Sequence, residues 1–171
     1  MKQKGFTLLE IIAVLVIIGI LTAVAVSRSV NFDAEVHTGA DILRSHLRYA
    51  QTTTMNSNPV AGKATIWGIS GTGSNYWLFQ GTDPNANIFR LPEDDAFIDA
   101  NKKINLTAKK IKLTPDSFTI YFDDRGVPYT VYTSETVNTP LAEAMTINVK
   151  PLNAATPSIA VTITPFTGYV P

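Results

Sequence analysis

Cysteine is absent from this chain of 171 residues, and histidine occurs only twice. Without cysteine there is no disulfide framework, thiolate zinc site, iron–sulfur cluster or cysteine nucleophile. His37 and His46 are nine positions apart, whereas two ligands on one helical face are about three or four positions apart. The sequence therefore predicts no metal site and no cofactor.

Charge is scarce as well. Charged residues make up 16% of the chain, and its 14 basic and 14 acidic side chains cancel, so no global field draws the molecule onto a polyanion. The sequence has no nucleophile elbow, phosphate-binding glycine loop or metal motif, and we predict that it is not an enzyme. Apolar residues amount to 45%, which fits one packed domain with an added hydrophobic segment.

That hydrophobic segment runs from Phe6 to Val26 and contains a single charge, Glu10. About 20 apolar residues in a helix are enough to cross a bilayer core. An ionisable group inside such a span costs roughly 2.5 kcal/mol or more, which indicates a functional partner. The free amine of a processed Phe6 is one candidate, and a Glu10 that only reaches the membrane surface is the alternative.

The flanks of the segment indicate its orientation. Lys2 and Lys4 precede it, and the next basic residue is Arg28. The positive-inside rule then keeps the start in the cytoplasm and exports the rest. A cleaved secretory signal is the alternative interpretation, since Ala23 and Ala25 form a small-x-small site, but the apolar core of such a signal is usually shorter.

The first ten residues, MKQKGFTLLE, resemble the class III signal of type IV prepilins and pseudopilins. The shared features are a short basic leader that ends in glycine and a following Phe-Thr-Leu-Leu-Glu. The resemblance implies cleavage between Gly5 and Phe6 by a prepilin peptidase, N-methylation of Phe6 and retention of the helix. It also assigns Glu10 and Thr7 to assembly, with Glu10 paired to the N-terminal amine of a neighbouring subunit.

The same resemblance implies a non-enzymatic structural subunit of a type IV pilus or a type II secretion pseudopilus. Such a subunit sits in the bacterial inner membrane as a single-pass protein, with its body in the periplasm, before it joins the filament. Its partners are other pilin or pseudopilin subunits, the prepilin peptidase and N-methyltransferase, the inner-membrane assembly platform and membrane lipid. The implied segments are a leader (1–5), a transmembrane and filament-core helix (6–27), an amphipathic helix (28–58) and a β-rich body (59–171).

Beyond the apolar run the sequence predicts that the helix continues with an amphipathic pattern. Apolar or small residues recur every three or four positions, at Val36, Ala40, Leu43, Leu47, Ala50 and Thr54. Asn58-Pro59 is a stop, because the residue before proline avoids the helical region. We expect one helix over residues 6–56.

From residue 60 onward, strand-forming residues alternate with turn residues. The fold class is therefore predicted as α+β, with the long helix covering one face of an antiparallel sheet. The residues from Asp123 to Gly126 predict a hairpin turn. The predicted strands cover 63–70, 76–80, Ile104–Leu113, Ser117–Phe122, Val127–Tyr132, Ala144–Val149 and Ile159–Thr164.

Three further segments of the chain resemble one particular group of pilin-like proteins. These are YFDDRGVPYTVYT, the C-terminal VTITPFTGYV and the helical stretch LRYAQTTTMNSN. They are similar to the H-type minor pseudopilins and related minor pilins (the GspH/FimT group), which implies a minor subunit.

Two charged clusters have alternative interpretations. The acidic cluster is interpreted as a solvated loop, because the glycine spacing of a calcium loop is missing; it consists of Glu93, Asp94, Asp95 and Asp99.

Some relatives in the minor pilin group bind DNA, and the chain has one local basic cluster. It is either a nucleic-acid patch or a set of lysines that blocks edge-to-edge strand pairing, and consists of Lys102, Lys103, Lys109, Lys110 and Lys112.

Mass spectrometry of the mature N terminus tests the processing prediction. We expect a chain that begins at Phe6 and carries a methyl group on its amine. An intact Met1, or a start beyond Val26, would contradict it.

Overall fold

A 49-residue helix, α1 (Leu8–Asn56), forms the N-terminal part of the fold. The computed structural model describes residues 7–57 and 66–171, with residues 26–33 described by their backbone alone. The predicted long helix is confirmed over these residues, while Phe6 and the Asn58-Pro59 stop lie outside them. The chain divides into two units, Met1–Ala34 and Glu35–Pro171, and α1 contributes to both.

The body consists of short strands. In chain order they are β1 (Trp67–Thr72), β2 (Asn75–Gln80), β3 (Ile88–Phe89), β4 (Ile104–Asn105), β5 (Ile111–Thr114), β6 (Ser117–Phe122), β7 (Pro128–Tyr132), β8 (Asn138–Pro140), β9 (Met145–Pro151) and β10 (Ile159–Ile163), with a 3-10 turn at Asp95–Phe97.

These strands form two antiparallel sheets. The larger has the order β3-β2-β1-β6-β7-β8, with β4 also beside β2, and the smaller has the order β10-β9-β5. The α+β class is thus confirmed, whereas the expectation of one sheet is wrong.

The second sheet arises because the predicted strand Ile104–Leu113 is broken. Its first part, β4, pairs with β2, and its last part, β5, pairs with β9. A turn separates them, in which Asn105 Oδ1 accepts a hydrogen bond from Ala108 N and Lys110 adopts a φ of 57°. The chain therefore passes from one sheet to the other within a run that looks continuous in sequence. β3 and β8, with two and three residues, were too short to predict.

The second half of α1 supplies one side of the main core. All six residues of the predicted amphipathic stripe are buried, from Val36 to Thr54. A Cβ at Gly39 would collide with Ile111 Cδ1 and lie 3.5 Å from Val149 Cγ1. The helix therefore lies directly against β5 and β9, and the predicted packing stripe is confirmed.

A second apolar cluster lies on the larger sheet and contains Ile66, Trp77, Phe79, Tyr121, Tyr129 and Tyr132. Tyr121 donates its hydroxyl hydrogen to Thr82 O (3.2 Å), and Trp77 Nε1 donates to Pro84 O (2.6 Å). These bonds hold the loop after β2 to the cluster. Most aromatic residues of the strands therefore belong to the core.

The predicted hairpin turn after β6 is confirmed. The buried carboxylate of Asp123 accepts hydrogen bonds from Arg125 N, Val127 N and the Tyr129 hydroxyl. Gly126 has a φ of 79°, which side chains rarely adopt. Asp123 is thus a turn former, as expected from short acids that bond nearby backbone.

Three polar side chains of α1 hold the C-terminal part of the chain. Arg44 donates to Ala160 O at 3.3 Å, and Arg48 donates to Val170 O from two nitrogens at 3.0 and 2.7 Å. Gln51 Nε2 donates to both Gly126 O (2.8 Å) and Thr167 O (2.9 Å). Gly126, Thr167 and Val170 lie outside the strands, so the side chains of α1 supply hydrogen bonds that no strand ladder provides.

His46 is the one buried histidine among the described residues. Its Nε2 lies 3.2 Å from Pro92 O and its Nδ1 lies 2.8 Å from the Tyr76 hydroxyl. A carbonyl oxygen only accepts, so Nε2 carries the hydrogen and Nδ1 accepts from Tyr76. Burial lowers the pKa of His46 and raises the pKa of Tyr76.

Stability should therefore fall on mild acidification. The pKa of His46 is lower in the folded chain than in the unfolded chain, so the unfolded chain takes up the proton first. The contribution to stability is full above about pH 6.5 and declines below it by up to about 1.4 kcal/mol per pH unit. Denaturation of the full chain in detergent, followed by tryptophan fluorescence at several pH values, measures this slope.

The matched variants are His46→Gln and His37→Gln, which remove a buried and an exposed histidine from the same helix. His46→Gln should reduce the loss of stability between pH 7.5 and pH 5.5, and His37→Gln should leave it unchanged. Equal slopes in wild type and His46→Gln would show that His46 is not the responsible group.

Candidate functional site

The candidate site begins at Thr7, which caps α1. Thr7 Oγ1 accepts a hydrogen bond from Glu10 N at 3.3 Å, and Thr7 O accepts from Glu10 N and Ile11 N at 3.1 and 3.3 Å. A threonine three positions before a glutamate has the spacing of a capping box. Thr7 therefore fixes the helix start one turn before Glu10.

The helix surface that follows is apolar and exposed. The segment Leu8–Ala25 has a mean hydropathy of 2.8 over 18 residues, and none of it is buried by the described chain. It is long and apolar enough to cross a membrane. The single other polar side chain, Thr22, satisfies its hydroxyl within the helix by donating to Ile18 O at 2.8 Å. An exposed surface of this kind requires lipid or a protein partner.

Residues 1–26 match the family model of the prokaryotic N-terminal methylation motif. The chain carries a prepilin-type N terminus. No curated protein and no solved structure matched the chain significantly. The motif, the apolar helix and the β-rich body are together consistent with a type IV pilin-like protein.

The methylation motif indicates in which processes the residues of the candidate site take part. It implies processing by a prepilin peptidase and assembly with other pilin subunits. Gly5 and Phe6 lie outside the described residues. Thr7 directly precedes α1, and Glu10 lies in its first turn, where the unpaired N–H groups favour a negative charge. Among residues 7–57 and 66–171, no hydrogen bond or ion pair reaches the Glu10 carboxylate.

The five clustered lysines do not share one role. Lys103 Nζ lies 3.6 Å from the centroid of the Trp77 ring, and Lys102 Nζ donates to Ile88 O at 3.3 Å. Lys110 Nζ pairs with Glu35 at 2.9 Å. Three of these cations therefore contact the body itself.

Lys109 forms a nearly buried ion pair. Its Nζ lies 2.8 Å from Glu93 Oε2, and the two side chains are only 11% and 10% exposed. The ring of Phe97 lies 4.1 Å from the same nitrogen. Glu93 is therefore part of a nearly buried ion pair, and its interpretation as a residue of a solvated acidic loop is wrong.

The other three acidic residues of that loop have partners close to them in the chain. Asp94 caps the 3-10 turn through Ala96 N, and Asp99 accepts hydrogen bonds from Asn101 N and Lys103 N. Asp95 pairs with Arg90. Within the described part of the chain, no group of three metal-ligating side chains forms.

Lys112 has a neighbour that the sequence did not indicate. It lies directly opposite Lys150 in the β5–β9 pair, although the two are far apart in the chain. Like charges in this position repel each other. Periodicity within one segment cannot reveal such a pair, because the register between two strands decides it.

Charge reversal tests the nucleic-acid interpretation of the lysines. Since four of the five lysines contact separate groups of the body, we expect no salt-sensitive shift of duplex DNA in gels, and no effect of Lys102→Glu combined with Lys112→Glu. Thr139→Glu, an exposed position on β8, is the control for added negative charge. Binding that weakens with salt and is lost only in the lysine variant would establish a nucleic-acid receptor.

Proposed function

We propose that this chain is a minor structural subunit of a type IV pilus or a type II secretion pseudopilus. In this proposal it is cleaved between Gly5 and Phe6, methylated on Phe6, held in the inner membrane by the apolar half of α1 and then assembled through that helix. The observation that carries the proposal is the methylation motif over residues 1–26, followed by an exposed apolar helix whose single charge is Glu10.

The proposed mechanism follows from the position of Glu10. A carboxylate in lipid is costly, and the cost is removed when it meets a cation. Cleavage before Phe6 creates such a cation, a secondary amine after methylation. In our proposal the amine of one subunit meets Glu10 of its neighbour, so that processing supplies the partner that assembly requires.

The capped helix start supports this geometry. Thr7 satisfies the N–H of Glu10 from within the same subunit. Within residues 7–57 and 66–171 no hydrogen bond or ion pair reaches the Glu10 carboxylate, and in our proposal it stays available to another chain. We infer that Thr7 acts in assembly by positioning the first turn of α1 rather than by contact with the neighbour.

The assignment to the GspH/FimT group rests on three segments that meet in the body. A Cβ on Gly168 would lie 2.7 Å from Gly126 O and 3.2 Å from Phe122 Cε1. Gln51 donates to carbonyls on both sides of this contact. The helical stretch, the turn after β6 and the C-terminal turn, which resemble that group in sequence, therefore depend on one another in space. In our proposal the sequence resemblance of these three segments to that group makes the chain a minor subunit.

Replacement of Glu10 tests the proposal. In Glu10→Gln, cleavage and membrane insertion should be unchanged, because the variant keeps the leader and is less costly in lipid. The amount recovered in sheared filaments should fall at least about tenfold, since loss of one partner from a buried pair typically costs about 3–5 kcal/mol. N-terminal mass analysis, membrane fractionation and filament recovery provide the three measurements.

Thr22→Val is the matched control, because it also removes a polar group from the apolar helix but one that bonds only its own backbone. It should assemble like wild type. Filament recovery of Glu10→Gln at wild-type level would contradict the proposal and favour a stand-alone membrane-anchored domain. Comparison of secretion with piliation in a deletion strain then assigns the chain to one of the two machines.

A further inference from the structure

Two lysines face each other on the outer side of the smaller sheet. Lys112 of β5 lies directly opposite Lys150 of β9 in register. Their strand neighbours Ile111, Leu113 and Val149 are buried in the main core. Because successive side chains of a strand point to opposite faces, both lysines lie on the face away from the core. We call these two residues the lysine pair.

The lysine pair is unfavourable for the chain by itself. Like charges directly opposite each other in a sheet repel. Among residues 7–57 and 66–171, no described side chain forms a hydrogen bond or ion pair with either ammonium group. The three strands of the smaller sheet contain no acidic residue. The described part of the chain therefore leaves the repulsion unbalanced, and a bound anion would relieve it.

Protection of a sheet edge does not explain the pair. Lysines on an edge strand hinder its pairing with another chain, and β5 is one edge of the smaller sheet. β9, which carries Lys150, is the central strand of that sheet. An edge role therefore accounts for Lys112 at most, and its position opposite Lys150 needs another reason.

The lysine pair lies close to the point where the chain enters the body. Glu35 is the first residue of the body, and its Oε1 lies 2.9 Å from Lys110 Nζ. Lys112 follows two positions later on β5. The positive charge of the outer face is therefore confined to the end next to Glu35. The strand residues of this face that lie further from that end are neutral, namely Thr114, Thr146, Asn148, Ala160 and Thr162.

The chain itself keeps this end of the sheet within reach of a membrane. Ala25 ends the apolar segment, and Glu35 begins the body. The ten positions between them span about 15 Å in a helix. A surface tethered so closely meets the bilayer at a high effective concentration, so that a weak contact is sufficient.

We propose that the lysine pair binds the phosphate groups of anionic phospholipids while the chain is anchored in the membrane. This proposal rests on the proposed function, which holds the apolar helix in the membrane before assembly. The helix itself brings lipid phosphates within reach of the pair, which makes them the anion that the observations favour.

The strength of such a contact suits a temporary role. Two lysines near an anionic surface favour the contact by about thirtyfold in total. That factor is enough to orient a tethered body. It is also small enough for the body to leave the lipid when the helix enters a filament.

Fluorescence quenching in lipid nanodiscs tests the contact. The full chain carries a fluorophore on Asn148→Cys, which lies on the outer face two positions from Lys150, and it has no other cysteine. The discs consist of phosphatidylcholine alone or of equal parts of phosphatidylcholine and phosphatidylglycerol, with a trace of lipid that is spin-labelled on its headgroup. We expect at least about threefold more quenching with phosphatidylglycerol, and loss of this difference in high salt.

Thr139→Cys on β8, an exposed position of the larger sheet, is the matched control for the label. Its fluorescence should be quenched equally in both kinds of disc. Quenching at Asn148→Cys that does not depend on phosphatidylglycerol would overturn the proposal. The same dependence at Thr139→Cys would overturn it too, because the lipid then attracts the body without regard to the lysine pair.

Neutral replacements assign the contact to the pair. In phosphatidylglycerol discs, Lys150→Gln should weaken the contact about fivefold, and its combination with Lys112→Gln about thirtyfold. Lys102→Gln, which removes an exposed lysine elsewhere, should have no effect. The double variant should melt no lower than wild type, because it removes a repulsion. A lower melting temperature would assign the pair to the stability of the body and overturn the proposal.

Two further measurements distinguish this contact from its alternatives. Duplex DNA added to phosphatidylcholine discs should leave the fluorescence at Asn148→Cys unchanged. A salt-sensitive change that the double variant abolishes would make the pair a nucleic-acid contact and overturn the lipid proposal. The N-terminal mass and filament recovery of the wild-type chain are measured in native cells. Normal processing and filaments without contact in discs would overturn the lipid contact alone, whereas contact in discs without processing and filaments would overturn the proposed function alone.

Discussion

Burial of one stripe of α1 is the constraint on which the body depends. Small and branched side chains from Val36 to Thr54 face the sheets, and Gly39 allows the helix to approach β5 and β9 closely. The same helix carries its polar groups beside this stripe, where Arg44, Arg48 and Gln51 bond carbonyls of distant segments. The helix therefore contributes both buried apolar side chains to the core and hydrogen bonds that hold distant segments of the body.

The residue pattern within single segments is sufficient to predict much of this architecture. The stripe at three- and four-residue spacing predicted the buried face of α1, and the strand-forming runs predicted β1, β2, β6, β7, β9 and β10. A turn rich in aspartate and glycine predicted the link between β6 and β7. In each case the determining contacts lie within a few residues of one another, so a single segment contains the signal.

Features that depend on distant contacts were not predictable in this way. The run from Ile104 to Leu113 has no proline or glycine to interrupt it. Its two ends nevertheless belong to different sheets, because one pairs with β2 and the other with β9. In the sequence Glu93 is one of several neighbouring acids, whereas in the fold it pairs with Lys109, which also contacts the ring of Phe97. At the N terminus the opposite holds: Gly5, Phe6, Thr7 and Glu10 form a short contiguous signal, which the matched methylation motif covers entirely.

The hydrogen bonds from Gln51 and Arg48 to the last residues also have a consequence for the folding of the newly made chain. The ribosome makes α1 first and the C-terminal turn last, so the two partners of these bonds are separated by the whole body during synthesis. Until Thr167 and Val170 are made, Arg48 lacks its acceptor, Gln51 has only one of its two acceptors, and the β6–β7 turn lacks its contact with Gly168. A chain that stops before these residues lacks the hydrogen bonds between α1 and the C-terminal segment, and an unfinished copy therefore differs in structure from a finished one.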